Sequence, residues 1–328
     1  MSRPARRSIL ALGALLPALG LARGAAAHGK LKWAHVYETS EPFHRAAVWA
    51  SDQLRERSAG AIDIQVFPAS SLGKESDLNQ GLRLGTIEIV TGGVAFPARR
   101  YPRLGISYYP YLFRDAAHLL AYGRSEVFAE IAEGFRAATG VALVSYAYYG
   151  TRHVSSQRPF GDCAGMAGLK IRVPDVAAYS VTPLACGANP TPIAFAELYL
   201  ALQNNTVEAQ ENPLTTILAK KLFEVQKHIM LTGHVVDGLT TMVAPHVWAE
   251  LTPAQRELVI EVARQAAAQA SDEIRAREAQ LVDEFVQKGL EVHAVDRESF
   301  RRAIGAATSV TSLGYEQRDY DRITAIRS

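Results

Sequence analysis

The chain has 328 residues, of which 48% are hydrophobic and 21% are charged, and its formal net charge is +2. This is an ordinary globular composition, and the length is sufficient for two domains or one large domain with a substantial core. The sequence contains no low-complexity tract and no charge run long enough to predict an interaction tail.

The N-terminus has the three parts of a secretory signal peptide. The arginine pair Arg6–Arg7 precedes an apolar run over residues 9–21, and three small residues follow and end at Ala27. We therefore expect a signal peptide over residues 1–27, cleaved after about Ala27, and an exported, periplasmic protein. The arginine pair also resembles a twin-arginine motif, so the general route and the twin-arginine route both stay open.

Removing this segment changes the charge balance of the chain. Four arginines and no acidic residue leave with it, so 31 basic and 33 acidic residues remain, a formal net charge of −2. A slightly acidic chain is not expected to bind nucleic acid or an acidic membrane surface. No later stretch approaches 18 consecutive apolar residues, so we expect the exported chain to be soluble.

Strand and helix patterns alternate at the start of the exported chain, and Ser40 is the predicted N-cap of the first helix. The predicted elements are a strand over 31–37, a helix over 40–60, a strand over 62–67, a helix over 75–84 and a strand over 86–93. This βαβαβ order predicts a mostly parallel sheet with helices on its faces. Such sheets place ligands at the carboxyl ends of their strands.

Strand patterns dominate the middle of the chain. Strands are predicted over 140–150, 169–174 and 206–213, with an amphipathic helix over 196–205. The β-rich run over 227–245 is too long for one strand of a compact sheet, so we expect it to cross between two sheets.

Cys163 and Cys186 are the only cysteines of the sequence. An even pair in an exported protein favours a disulfide, because the compartment is oxidising. Two unpaired buried thiols are the alternative.

A long helix is predicted over residues 253–288. Thr252 and Gln255 form a capping box at its start, and Gly289 is a suitable stop. Unbroken, the helix is about 54 Å long at 1.5 Å per residue, which exceeds the size of a small domain. It is therefore expected to lie against two domains; a break near residues 271–272 is the alternative.

The sequence carries no recognisable catalytic or metal-binding motif. There is no HExxH, CxxC or GxSxG, and no glycine-rich phosphate loop. His234 and Asp237 are three residues apart in a β-type run, so they are expected to point to opposite faces. We therefore predict no catalytic residue, no metal and no cofactor.

Three predicted strands end in side chains that donate hydrogen bonds. Arg152 follows the strand over 140–150, Arg172 ends the next strand, and Asn212 follows the strand before Pro213. If these strand ends converge, two guanidiniums and an amide line one pocket. A planar guanidinium binds a carboxylate in a two-point geometry, so the pattern favours a pocket for a small organic acid. Scattered surface charges are the alternative.

Four segments of the chain carry a resemblance to a known family. They are FPASSLGKESDLNQGLRLGTIEI (67–89), GLKIRVPDVAAY (168–179), GANPTPIAFAELYLALQNNTVEAQENPL (187–214) and VQKHIMLTGH (225–234). With them, residues 30–328 resemble the DctP-type substrate-binding proteins of tripartite ATP-independent periplasmic (TRAP) transporters. The resemblance implies a two-domain α/β fold like that of periplasmic binding proteins. Its sheets are mixed and mostly parallel, strands cross between the domains, and one long helix spans both.

The resemblance also implies where the domains and the ligand cleft lie. Domain I is expected over residues 28–150 and 238–275, and domain II over residues 151–237 and 276–328. The ligand binds in the cleft between them, and the domains close over it.

The resemblance gives Arg172 the role of the carboxylate anchor. The other expected ligand-binding residues are Arg152, Asn212, Phe195 and Glu75, which match family positions, and His35, Asp175 and Asp237, which are candidate polar contacts. These polar contacts suit a ligand with several hydroxyls. We therefore expect a sugar acid, best a hexuronate such as galacturonate or glucuronate.

Other ligands and functions stay open on sequence alone. A C4-dicarboxylate, a 2-oxo acid and an aromatic acid are the alternative ligands. The implied partners are the membrane permease subunits of a TRAP transporter, and the chain is expected to be a monomer. A ligand-sensing module and a secreted enzyme acting on a sugar acid are the alternative functions.

Overall fold

The computed structural model describes residues 30–327. The predicted signal peptide over residues 1–27 lies outside the described residues. Within residues 30–327, none of the helices combines the length and the apolar character that a membrane crossing requires.

Nine strands occur in the described part of the chain. They are β1 (Leu31–Ala34), β2 (Ile64–Phe67), β3 (Ile89–Gly93), β4 (Ala142–Ser156), β5 (Lys170–Val173), β6 (Asn189–Pro192), β7 (Ala209–Pro213), β8 (His228–Val243) and β9 (Glu291–His293). All of them belong to one mixed sheet in the order β2-β1-β3-β8-β4-β7-β5-β6, with β9 paired to β8.

Eleven α-helices in the same residues cover the sheet. They are α1 (Pro42–Arg57), α2 (Glu75–Leu84), α3 (Ala116–Tyr122), α4 (Glu126–Thr139), α5 (Val181–Ala185), α6 (Leu198–Gln203), α7 (Leu214–Ala219), α8 (Pro245–Glu250), α9 (Pro253–Gln287), α10 (Arg297–Ala307) and α11 (Gln317–Thr324). The mixed α/β class predicted from the sequence is therefore confirmed.

The first βαβαβ unit has the predicted order, and β1 pairs in parallel with both β2 and β3. The helix predicted over 75–84 is α2, which ends at Gly85 in the left-handed conformation with φ 76°. The expectation that Ser40 is the N-cap of α1 was wrong. Glu41 holds that position in an extended conformation, because Pro42 takes the first helical position.

Two long antiparallel strands, β4 and β8, join the two ends of the sheet. The start of β4 and the end of β8 lie near β3, while the end of β4 pairs with β7 and the start of β8 pairs with β9. Gly150 lies opposite Asp237 at the centre. The domain boundaries predicted after residues 150 and 237 fall at this pair, and they stay a prediction.

The long helix α9 is unbroken from Pro253 to Gln287, and the capping box between Thr252 and Gln255 is present. It contacts α1 at one end of the molecule and α7 and β9 at the other. The break considered near residues 271–272 is absent; the hydroxyl of Ser271 donates to the carbonyl oxygen of Ala267 at 2.6 Å within the continuous helix. The expected span across the two ends of the sheet is confirmed.

Within residues 30–327 the core has three apolar clusters. The largest packs α1, α4 and α9 against the sheet. A second surrounds Cys163 and Cys186, which are joined in a disulfide with their Cα atoms 4.9 Å apart. The third contains Tyr108 and Val235 beside Val173 and Tyr179, and so lies between the two ends of the sheet.

Candidate functional site

Strand register brings the predicted donors together near the centre of the sheet. Arg152 in β4 lies opposite Pro213 in β7, so it is next to Asn212. Arg172 in β5 lies beside Gln210 in the same strand β7. The three predicted donors therefore lie close together, but Arg152 lies within β4 (Ala142–Ser156) and not after the end of a strand, as the sequence had predicted.

Arg172 is a deeply buried cation whose hydrogen bonds are incomplete. Only 1% of its surface is exposed, and its Nε donates to the carbonyl oxygen of Ile193 at 2.8 Å. Its buried Nη2 has no hydrogen-bond partner within residues 30–327. Burial lowers the pKa of Arg172, while the carboxylates of Glu75 and Glu211 oppose this lowering. A buried N–H of a charged group is costly unless an acceptor meets it, so Nη2 marks a place for an anion.

Arg152, in contrast, is held by acceptors of the protein. Its Nη2 lies 2.7 Å from Oε1 of Glu211, its Nε contacts Oε2 of the same carboxylate, and its Nη1 lies 3.0 Å from Oδ2 of Asp237. All three side chains are buried. Burial raises the pKa of Glu211, but the combined effect of Arg152 and His234 lowers it to about 2. This carboxylate therefore stays charged.

Asp237 forms one buried ion-pair group with Arg152 and Glu211. Its Oδ1 accepts a hydrogen bond from the backbone N–H of Gly238 at 2.7 Å. Burial raises the pKa of Asp237 to about 6, against the opposing effect of Arg152. The group thus places Arg152 between two carboxylates.

His234 and Asp237, which the sequence predicts on opposite faces of a strand, both contact the Arg152–Glu211 pair. His234 Nε2 lies 3.3 Å from Glu211 Oε2. The register of β8 with β4 is irregular over residues 231–234, where Gly233 has φ +56°, and it is regular again over residues 235–237. Alternation along a regular strand does not hold through such an irregularity.

Two tyrosines that the sequence analysis missed cover this group. The Tyr179 ring lies 5.2 Å from the guanidinium carbon of Arg152, and the Tyr108 ring packs 4.3 Å from that of Tyr179. A cation over an aromatic face is a favourable contact. Tyr179 is the last residue of the motif GLKIRVPDVAAY, which was the available signal for it.

Asn212 and Phe195 lie beside the arginines, as expected. Asn212 Oδ1 accepts from Arg152 Nη2 at 3.3 Å, and its Nδ2 donates to Gln210 Oε1. The Phe195 ring lies 6.0 Å from the guanidinium carbon of Arg172. Glu75, the first residue of α2, is half-buried and acts on Arg172 electrostatically.

His35 lies at the end of β1 in a fully buried position. Its Nε2 lies 3.3 Å from His44 Nδ1, and its ring stacks on Tyr37. Burial and the neighbouring His44 lower the pKa of His35 to about 3, so the imidazole is neutral at ordinary pH.

Asp175 lies apart from the buried group. Its side chain is 69% exposed and pairs with Arg99, whose Nη2 also donates to the Asp175 carbonyl. The pair joins the segment after β3 to the segment after β5 at the surface. The structure therefore does not bring Asp175 together with Arg172 and Arg152.

The arrangement is suited to holding one small anion away from water. Arg152 is compensated by Glu211 and Asp237, whereas Arg172 keeps a buried N–H unmet. Both arginines are almost completely buried.

A family model described as bacterial extracellular solute-binding protein, family 7 (DctP), matches residues 33–311. The chain is 30% identical to the sialic acid-binding periplasmic protein SiaP of Vibrio cholerae, over 80% of this chain and 81% of that protein. It is 31% identical to the 2,3-diketo-L-gulonate-binding periplasmic protein YiaO of Escherichia coli, over 82% and 83%.

Solved structures of TRAP periplasmic solute-binding proteins share the fold. The protein from Polaromonas, bound to D-erythronate, has a TM-score of 0.87 and 28% identity, over 92% of this chain and 100% of that one. The protein from Roseobacter denitrificans, with bound L-galactonate, has a TM-score of 0.84 and 29% identity, over 90% and 97%.

Proposed function

The chain belongs to the DctP family of bacterial extracellular solute-binding proteins, family 7, and from this premise we propose that it captures a sugar acid in the periplasm and delivers it to the permease of a TRAP transporter. The family and its solved members are solute-binding proteins rather than enzymes. The proposal thus concerns the ligand and its delivery.

The observation that carries the proposal is the unmet Nη2 of Arg172 at 1% exposure. The Ile193 carbonyl oxygen holds Nε, which fixes the plane of the guanidinium and leaves its outer edge for a carboxylate. Nearby, the Phe195 ring offers an apolar surface to the carbon skeleton of the ligand.

The charges of the group favour a ligand with one carboxylate. Arg152 already has Glu211 and Asp237 as partners, and Glu75 adds a further negative charge near Arg172. One ligand carboxylate matches Arg172, which of these two described arginines is the incompletely paired one. A second carboxylate would have to approach acidic side chains in a buried site, which is unfavourable.

A ligand with several hydroxyl groups suits the polar side chains expected in the site. Glu75 and Asn212 offer oxygen acceptors, and a neutral His35 can donate or accept. A hexuronate such as galacturonate or glucuronate fits this set and remains our first choice. The ligands named for relatives, such as L-galactonate and D-erythronate, are also polyhydroxy acids with one carboxylate.

A C4-dicarboxylate is the second candidate ligand. The chain is 27% identical to the C4-dicarboxylate-binding periplasmic protein DctP of Rhodobacter capsulatus, over 66% of both chains. The acidic side chains around Arg172 argue against it.

Delivery follows from the burial of the site. The ligand contacts residues at both ends of the sheet, so it stabilises the closed arrangement by its preferential affinity for it. A permease that binds the closed form therefore binds the protein together with its ligand. A receptor reading the same closed form is the alternative, and transport by the reconstituted permease distinguishes the two.

A matched set of galactose derivatives tests the proposed ligand. D-Galactose, D-galacturonate and galactarate share one skeleton and carry no, one and two carboxylates. We expect calorimetric binding of galacturonate or galactonate, with galactose and galactarate weaker by at least about 100-fold, or 2.7 kcal/mol. Equal binding of galactose, or tighter binding of galactarate or succinate, would contradict the proposal.

A further inference from the structure

Three side chains that can ligate a metal ion meet on the β8–β9 pair, outside the buried group around Arg152. His228 Nδ1 lies 3.1 Å from His293 Nε2, and each of these nitrogens lies 3.7 Å from Glu291 Oε2. His228 is 11% exposed, His293 is 29% exposed and Glu291 is 70% exposed in their side chains. The three ligand atoms therefore form a compact triangle that opens to solvent on one side.

The sheet register explains why these residues share one face. β9 pairs in parallel with β8, and His228 lies opposite Glu291 while Met230 lies opposite His293. Successive side chains of a strand alternate between faces, so Glu291 and His293 point the same way, beside His228. The backbone register therefore places the three residues side by side, with the two imidazoles partly buried and the Glu291 side chain exposed beside them.

We propose that His228, Glu291 and His293 bind a divalent transition-metal ion such as Zn²⁺. A tetrahedral ion with bonds of about 2.0–2.1 Å holds its ligand atoms about 3.3–3.4 Å apart. The separations of 3.1, 3.7 and 3.7 Å lie close to that value on all three sides. A hydrogen bond between the two imidazoles accounts for the first separation alone.

The ligand set selects the class of ion. Two imidazole nitrogens and one carboxylate oxygen suit Zn²⁺, Ni²⁺, Co²⁺ or Cu²⁺, whereas Mg²⁺ and Ca²⁺ prefer oxygen ligands. The exposed side leaves the fourth position for water. A bound ion would link the short strand β9, which follows the long helix α9, to the start of β8.

Zinc titration of the untagged protein, first freed of metal with a chelator, tests the site by calorimetry. We expect one equivalent of Zn²⁺ to bind saturably. His293→Gln removes a direct ligand of the ion. Since the loss of a group that only supports a ligand costs up to about 100-fold in affinity, we expect this variant to lose at least that much. Glu291→Gln, at an exposed position, should also weaken binding without disturbing the fold. Exposed His246 provides the control, because His246→Gln removes a surface imidazole elsewhere and should leave the affinity unchanged.

Two further measurements test whether the ion binds at this site. Co²⁺ in the same site should give the strong visible absorption of a four-coordinate ion, absent in His293→Gln. Arg172→Ala should keep the full Zn²⁺ stoichiometry, which separates this site from the sugar-acid site. Wild-type protein without a saturable equivalent, or equal Zn²⁺ affinity in wild type and His293→Gln, would overturn the proposal.

Discussion

Arg152 and Glu211 form a two-point ion pair in the interior of the protein. Nε and Nη2 of the arginine lie 2.5 and 2.7 Å from the two carboxylate oxygens, and neither side chain is more than 3% exposed. Oδ2 of Asp237 accepts a hydrogen bond from Nη1 of the same guanidinium. The charge of Arg152 is therefore compensated within the protein, whereas Nη2 of Arg172 has no hydrogen-bond partner among the described residues, which is why we propose Arg172 as the carboxylate anchor.

Breaking this pair should destabilise the protein. Glu211→Gln leaves Asp237 as the charged partner of Arg152 and replaces charge-assisted hydrogen bonds by weaker ones, so we expect the free energy of unfolding to fall by about 1–3 kcal/mol. Urea unfolding at pH 7 measures the change. Glu208→Gln is the matched control, because Glu208 is exposed just before the same strand. An unfolding midpoint of Glu211→Gln equal to that of wild type would contradict the assignment.

The Arg99–Asp175 pair should contribute little to ligand affinity. Both side chains are about half or more exposed, and an exposed ion pair contributes less than about 1 kcal/mol. We expect Asp175→Asn to change the galacturonate affinity by less than about fivefold in calorimetry. Glu75→Gln, at the half-buried position beside Arg172, should cost more than about tenfold. A larger loss for Asp175→Asn than for Glu75→Gln would make Asp175 a direct ligand contact.

Glu41 should make the stability of the protein depend on pH. Burial raises the pKa of Glu41 from 4.5 to about 7, against hydrogen bonds from Glu38 and Thr216. The folded protein thus holds this proton more tightly than the unfolded chain. The stabilising effect of the bound proton is complete below pH 4.5, and it is lost as the pH rises from 4.5 through 7.

The Glu41→Gln variant, which cannot lose that proton, should be more stable than wild type at pH 8 and nearly equal at pH 4.5. The difference should reach on the order of 3 kcal/mol. Unfolding midpoints of both proteins at the two pH values measure it, and Glu56→Gln, at an exposed position on α1, is the control. A Glu41→Gln effect that is the same at both pH values would rule out the raised pKa.

The disulfide should stabilise the part of the molecule around β5 and β6. Cys163 and Cys186 are 23 residues apart, and closing a loop of this length contributes about 3 kcal/mol on the chain-entropy model. We expect the free energy of unfolding of the double variant Cys163→Ser/Cys186→Ser to be lower than that of wild type by about this amount. Its urea midpoint should fall accordingly. Reduced wild type provides the matched comparison. Equal midpoints for wild type and the double variant would contradict this prediction.

The elements with strong local signals were predicted well from the sequence. The helix α2 begins at Glu75 and ends before Gly85, and α9 begins after the Thr252 capping box, as periodicity and caps indicated. The sequence also raised the convergence of Arg152, Arg172 and Asn212 as a hypothesis. The structure brings them together by a different route, because β4 runs antiparallel to β7 and Arg152 lies within β4.

The remainder of the site depends on contacts that no local pattern contains. Glu211 pairs with Arg152 from a strand about 60 residues away, and a charged residue in a strand gives no sign that it is buried. His234 reaches the same pair through an irregular part of β8. Asp175 follows Pro174, where strand alternation no longer predicts a direction, and it lies on the exposed surface.

The affinity of Arg172 variants for galacturonate tests the central claim most directly. Calorimetry should show saturable binding by wild type and a loss of more than about 100-fold for Arg172→Ala, because a buried charge-assisted pair is worth about 3–5 kcal/mol. Arg172→Met keeps the bulk of the side chain and removes the buried charge, so it should abolish binding while raising the unfolding midpoint of the ligand-free protein. Wild-type affinity in either variant, for any sugar acid that wild type binds, would contradict the account.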